Sequence, residues 1–193
     1  MGRQVVGMMH PVWAPMTAHT EGAMPTYGTG VLICEARTCT FNKTYANNPD
    51  YGDNQIVDDD NSLTGLGITF ESTGIEMAAR VAMLAEERKG ADGEGQWVNS
   101  DATPYGGFGF VEEVRDKGVY KYHAWITLAA KFMETNHTAN TREENITWGH
   151  PQLEGRAKSL VVDNTGKNRW QLHETFDTIA AAKTFVDTML NYS

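Results

Sequence analysis

Between Val119 and Phe132 the side chains change character at every step. Tyr120, Tyr122, Ala124, Ile126, Leu128, Ala130 and Phe132 fall on one face, and Lys121, His123, Thr127 and Lys131 on the other. A period of two matches an extended chain, whose successive Cβ atoms point to opposite sides, and no helix gathers such a pattern onto one face. A half-buried strand of this length needs hydrogen-bonding neighbours along its edges, so the chain must build a sheet around it. The nearest partner is Phe108 to Val114. The Arg115-Asp116-Lys117-Gly118 link has hairpin chemistry, with Gly118 free to take positive φ. A second strand pair is expected from Val31 to Tyr45, where Cys39, Phe41 and Tyr45 alternate with Thr38, Thr40, Asn42 and Thr44, and from Leu63 to Glu71, where Leu66, Ile68 and Phe70 share a face. The residues between them, Ala46 to Ser62, read as a polar loop.

Two segments carry the helical period. Gly74 to Lys89 opens on Thr73-Gly74-Ile75-Glu76, which has capping-box spacing, presents Ile75, Ala78, Ala82 and Ala85 on one stripe with Val81 beside it, and stops at Gly90. Thr178 to Leu190 is expected to bury Ile179, Ala182, Phe185, Val186 and Met189 beneath a cap from Asp177, after a turn at Asp163-Asn164-Thr165-Gly166. Ala91 to Pro104 and Thr135 to Glu144 read as polar connections. The fold class is therefore β-rich α+β: a sandwich or barrel flanked by a central helix, with a C-terminal hairpin and helix. At 193 residues and 40% hydrophobic content one core suffices, with 1–160 as the main domain and 161–193 as an extension able to pack on it.

Charge and motifs narrow the function. The net charge is -9, and residues 44–79 hold seven of the 25 acids (Asp50, Asp53, Asp58, Asp59, Asp60, Glu71 and Glu76) with no Lys or Arg, leaving 18 acids against 16 bases elsewhere. No basic patch suits a nucleic-acid grip. Asp58-Asp59-Asp60 suits a hard cation by charge, but Leu63 stands where a calcium loop needs Gly and no Glu closes the loop, so a solvated acidic loop is the reading. Gly106-Gly107-Phe108-Gly109-Phe110 precedes no helix start and is read as a strand whose glycines let a neighbour approach closely. Cys34 and Cys39 have no metal-ligand spacing and read as buried thiols, and the six His show no paired spacing. No nucleophile elbow is present. The expectation is a non-enzyme with no cofactor and no metal. There is no apolar run long enough to span a membrane and no basic-then-apolar leader, which predicts a cytosolic origin.

Across several strands in order, GFGFVEEVRDKGVYKYHAWITLAAKF followed by TREENITWGHPQLEGRA resembles the major tail protein family of long-tailed bacteriophages, the phi13-type group in particular. The matching positions are Gly109 and Phe110, then Tyr120, Tyr122 and Trp125, then Lys131 and Phe132, then Glu144, Ile146, Trp148, Pro151, Leu153 and Gly155. Tyr27 and Gly28 and the acidic Tyr-containing loop are similar too, and the resemblance runs roughly from Val5 to Lys158. It implies a tail-tube sandwich that assembles into homohexameric rings, stacked around a tape measure protein that DNA later replaces. Tail terminator and tail-tip proteins are the implied further partners, and the virion tail is the location, after assembly in the host cytoplasm. If each of six subunits gives four strands, then 24 strands at about 4.8 Å spacing, tilted about 40°, close a barrel on the order of 45 to 50 Å across.

On this resemblance the strands carrying Phe108, Phe110, Tyr120, Tyr122, Trp125 and Trp148 are the candidate subunit interface. The acidic loop with Asp50, Asp53, Asp58, Asp59 and Asp60 then has two readings. Facing the lumen, its charge would repel phosphates and deny passing double-stranded DNA the cation contacts that make it stick. Projecting axially, it would dock on the next ring, and its reach between two paired strands favours this. A different class, a tail-tip sandwich module that binds a receptor or glycan through Trp13, Trp97 and Tyr105, is the alternative.

Overall fold

The hairpin of residues 106–134 is the axis of the molecule, and a computed structural model describes what surrounds it over residues 4–53, 55–90, 95–98, 102–135 and 149–193, with backbone alone for 50–52, 56–60 and 95–96. In chain order the first half contains β1 (Gln4–Ala18), β2 (Thr26–Tyr27), β3 (Val31–Leu32), β4 (Ala36–Tyr45), β5 (Asn48–Gly52), β6 (Gln55–Asp60), β7 (Leu63–Ser72) and α1 (Met77–Leu84). The second half contains β8 (Glu87–Lys89), β9 (Gly95–Trp97), β10 (Gly106–Asp116), β11 (Val119–Glu134), β12 (Gln152–Ala157), β13 (Leu160–Val161), β14 (Asn168–Arg169), β15 (Gln171–Phe176) and α2 (Ile179–Met189). Nine strands form one antiparallel sheet in the order β2-β1-β10-β11-β12-β7-β4, with β3 added to β1 and β15 added to β11. The ribbons β5–β6, β8–β9 and β13–β14 stand apart from it.

The expected hairpin forms with Phe110 opposite Trp125, and its two-residue turn places Lys117 at φ 50 and Gly118 at φ 90. Both central residues are left-handed, the geometry that matches strand twist. β4 and β7 pair as expected, with Phe41 opposite Ile68, and Leu66, Ile68 and Phe70 buried on one face.

The half-buried reading of β11 is corrected: from His123 to Ala130 every residue but Trp125 is buried, on both faces. α2 covers one face, and the curl of β7 and β4 with α1 covers the other. Nor do its apolar residues share one face. Gly106 and Phe108 pair with Ala130 and Thr127, so β11 inserts one extra residue there. A bulge of one residue turns every later side chain over. Ala124, Ile126 and Leu128 therefore pack with Val12, Val111, Ala182, Val186 and Leu190 under α2. Ala130 and Phe132 join Trp13, Phe70, Phe108 and Phe110 in a second core lined by α1.

The central helix is shorter than the periodicity suggests. α1 runs from Met77 to Leu84 and ends with Ala85 in the left-handed region at φ 56, and Glu87–Lys89 is a strand. No capping box forms, because the Thr73 hydroxyl donates to Glu35 Oε2 at 2.8 Å and the N-cap, Glu76, makes no side-chain cap. The later start rotates the buried stripe onto Ala79 and Met83, leaving Ala78 exposed. Arg80 then anchors α1 by a two-pronged pair with Glu134, at 2.9 and 3.0 Å, and by Glu86 at 2.9 Å.

α2 forms where expected but is capped by Thr178, whose Oγ1 accepts from Ala181 N–H at 3.3 Å. Asp177 instead pairs with Lys121. Ala182, Val186 and Leu190 are buried, Phe185 and Met189 pack at the margin, and Ile179 is exposed. The glycines of β10 serve this packing, since a Cβ on Gly107 would stand 2.5 Å from Leu190 Cδ2, and one on Gly109 2.7 Å from Ile126 Cδ1. His10, at φ 57 in the irregular stretch of β1 between Met9 and Val12, ties the same helix down through Asp187 at 2.6 Å.

Candidate functional site

The predicted polar loop is an antiparallel ribbon, not a loop: β5 and β6 pair with Asn48 opposite Asp60, Pro49 opposite Asp59 and Asp50 opposite Asp58. Ala46 N–H closes its base on Ser62 O at 2.7 Å, and it joins no other strand. Asp53 sits at the tip, exposed and at φ 48, where a short polar side chain tolerates the left-handed turn. The side chains of Asp50, Asp58, Asp59 and Asp60 lie outside the described residues. The register alone brings like charges opposite one another on a ribbon held away from the body, which is unfavourable without cations or a cationic surface nearby. Because β4 and β10 run in the same direction, this ribbon leaves the sheet at the same end as the β10–β11 turn.

The candidate interface residues lie elsewhere than at free edges. β10 is paired on one side with β1 and on the other with β11, and β11 with β10 and then β15 or β12. Phe108 and Phe110 are buried in the subunit's own core, in contact with each other at 5.7 Å between ring centroids. Tyr122 is half-buried against the α2 core, while Tyr120 is exposed beneath the Arg115 guanidinium. Trp125 is half-buried and donates from Nε1 to Glu112 Oε2 at 3.1 Å, with the His173 ring 4.3 Å from its own. Trp148 lies outside the described residues. Of the aromatics put forward for a glycan site, Trp13 is buried at 0% exposure and Tyr105 is half-buried under Lys131, so neither offers a free face. Trp97 remains exposed, with Lys89 over its ring.

The free edges include those of β4 and the first half of β1, besides the outer side of β15, which among the described residues pairs only with β11. Among the described residues β4 pairs only with β7, and Gln4 to Met9 of β1 pair only with β10, since β3 and β2 take the other side of β1 only beyond Pro11. The sheet curls until these two edges face each other. Ile33 N–H bonds Pro11 O at 3.0 Å where they are closest, and from there they diverge into a wedge of about 470 Å³. Val5, Val6, Gly7 and Met8 form one wall, Arg37 to Phe41 the other, and Phe110, Glu112 and Trp125 the floor. Phe41 stacks on Phe110 at 5.9 Å and seals the interior below. Val5 and Val6 are more than half exposed. Sequence reading missed the β1 wall because Gln4 to Met9 shows neither alternation nor charge. Its signal was an uncharged apolar stretch with no turn residue beyond Gly7.

Two titrating groups mark the wedge and its narrow end. Burial, then the nearby Glu112 carboxylate, pushes the Cys39 thiol up to about 12. Both cysteines are half-buried and unbonded to each other, partly matching the buried-thiol reading. Hydrogen bonds from Cys34 Sγ and Thr73 Oγ1, each 2.8 Å, hold the exposed Glu35 carboxyl at about 2. Among the described residues no group of three or more His, Cys, Asp or Glu gathers to hold a metal, and no helix is long and apolar enough to cross a membrane.

No family model matches the chain, and no curated protein is significantly similar to it. The resemblance to phage major tail proteins therefore rests on the motif residues alone. In the structure Gly109, Phe110, Tyr120, Tyr122, Trp125, Lys131, Phe132, Pro151, Leu153 and Gly155 fall on or beside three consecutive neighbours in the sheet, β10, β11 and β12, while Glu144, Ile146 and Trp148 lie outside the described residues.

Proposed function

We propose that this chain is a non-enzymatic tail-tube subunit, whose copies join edge to edge into rings that stack as a conduit for double-stranded DNA. The observation that carries the reading is that β4 and the first half of β1 are uncovered edges on one curled sheet. Unpaired N–H and C=O groups along ten residues of β4 and half of β1 are a template for another chain, and β4 carries no proline that would discourage pairing. The two edges differ, so joining one to the other is head-to-tail, the arrangement that closes into a ring when the rotation permits. The acidic ribbon supports the second contact, between rings. It stands clear of the body at one end, and an isolated two-stranded hairpin is marginal in water without a further surface.

Negative-stain microscopy of the purified chain tests the reading: tubes or six-fold rings are expected, and a monomer at every concentration and buffer overturns it. Replacing Asp58, Asp59 and Asp60 together with Asn then separates the two roles of the acids. Loss of tubes marks axial docking, which the projecting ribbon favours, whereas tubes of normal length with slower DNA ejection mark a lumen lining.

A further inference from the structure

Resting on the tube-subunit reading, we infer that the outer face of β11 and β12, where Lys131, Arg156 and Lys158 gather, is a contact site for the phosphate backbone of double-stranded DNA. The sheet register makes the cluster. Lys131 and Arg156 stand 25 residues apart in the sequence, and the β11–β12 pairing sets them directly opposite each other. The next pair, Phe132 and Gly155, meets on the core side, since a Cβ on Gly155 would lie 2.7 Å from Phe132 Cε1, so Lys131 and Arg156 point outward. Lys158, two residues on, is exposed like Arg156, and its N–H donates to Ala129 O at 2.8 Å, which holds it against β11. Neighbouring strands lie about 4.8 Å apart and two residues of strand span about 7 Å, so the three cations share a patch about the size of the Debye length at physiological salt.

Such a cluster is unfavourable in the free subunit, because like charges directly across a ladder repel. The Tyr105 ring, 4.4 Å from Lys131 Nζ, offsets this only for Lys131. Among the described residues Arg156 and Lys158 enter no ion pair, and the acid beside them, Glu154, is itself exposed. An anion from outside therefore meets three available cations, one of them a guanidinium that can take a phosphate by two parallel bonds. The rest of the face selects the kind of anion. It continues through Gly65, Gly67 and Thr69 of β7 to their partners Thr44, Asn42 and Thr40 of β4, all uncharged. The face is thus polar and low in relief, and four strands make it about 14 Å across. A protein partner would need large apolar anchors, and here only Met133 is an exposed one. A duplex is held by phosphate contacts, which use cations and short polar groups and read no sequence. Contacts this few, screened by salt, suit a polyanion that has to pass.

Fluorescence anisotropy of a labelled duplex of mixed sequence, with the chain kept dilute and unassembled, tests this. For the unaltered chain the logarithm of affinity should fall against the logarithm of salt with a slope of about −3, one counterion released per phosphate neutralised. Arg156→Gln with Lys158→Gln should weaken binding at low salt and reduce that slope by about two. Both positions are exposed and the Lys131–Tyr105 contact is untouched, so this variant should fold. Glu154→Gln should tighten binding. Arg115→Gln with Lys117→Gln, the same charge change at the β10–β11 turn, should leave the slope as it is. No binding at low salt, or an equal loss from the two double variants, overturns the inference. So does displacement of the duplex by polyglutamate of matched charge as effective as by unlabelled DNA, which gives the face to an acidic protein. Tubes seen by microscopy alongside any of these results leave the tube reading standing. A chain that never assembles, yet loses its DNA affinity with Arg156 and Lys158, overturns the tube reading alone.

Discussion

Leu190 shows how much one side chain can hold. It is fully buried at the end of α2, and it occupies the space that the absent Cβ atoms of Gly107 and Gly109 leave on β10. Leu190→Ala removes that filling from a close-packed seam and should cost about 2 to 5 kcal/mol in a urea titration. A loss below about 0.5 kcal/mol would mean that α2 does not seal this core. Glu35 makes a different prediction. Folding lowers its carboxyl from 4.5 to about 2, so its contribution to stability is present above the unfolded value and is lost as pH falls from about 4.5 toward 2. Thr73→Ala deletes one of the two side-chain donors, and the Glu35 carboxyl followed by NMR should then titrate closer to its ordinary value. An unchanged titration would show that the hydroxyl bond is not formed in solution. The alternation in β4 and β7 made these strands legible. That Thr73 serves Glu35 instead of capping a helix was not legible, because a capping-box spacing says nothing about an acid 38 residues away.

Among the elements, α1 differs most from its sequence signature. A helix-period stripe from Ile75 to Ala85 suggests three turns or more, and the structure keeps Met77 to Leu84. Ala85 turns into the left-handed region, where a Cβ costs about 1 to 2 kcal/mol and glycine costs nothing of that kind. Ala85→Gly should therefore raise the thermal midpoint, with a gain of up to about 1 kcal/mol after the added chain entropy of glycine. A lowered midpoint would place the helix end elsewhere. The reason for the early stop is tertiary: Glu86 is buried and bonded to Arg80, which also clasps Glu134 on β11. Continuing the helix would swing that carboxylate away. β11 carries the same lesson, since its alternation fixed it as a strand while the bulge at Thr127 to Ala130 divided its apolar face between two cores.

For the whole molecule, the curl of one antiparallel sheet decides which backbone is left unpaired. If the outer edge of β4 joins another copy, Thr38→Lys with Thr40→Lys should abolish assembly in light scattering. Both positions are exposed, so monomer stability should stay within about 0.5 kcal/mol. Tubes of normal yield from this double variant would move the ring contact away from β4. The sequence by itself determined the strands of the central hairpin, its turn, the β4–β7 pair, the C-terminal helix and the concentration of acids in one segment, because each follows from local period, turn chemistry or charge count. Tertiary structure alone decided that β10 and β11 are interior strands, that Phe108 and Phe110 belong to the core, and that the acidic segment is a ribbon held off the body. It also decided that β4, the first half of β1 and β15 carry open edges among the described residues. Edges are a property of sheet order, and sheet order is set by which faces bury together across the whole chain, which no local window of residues contains.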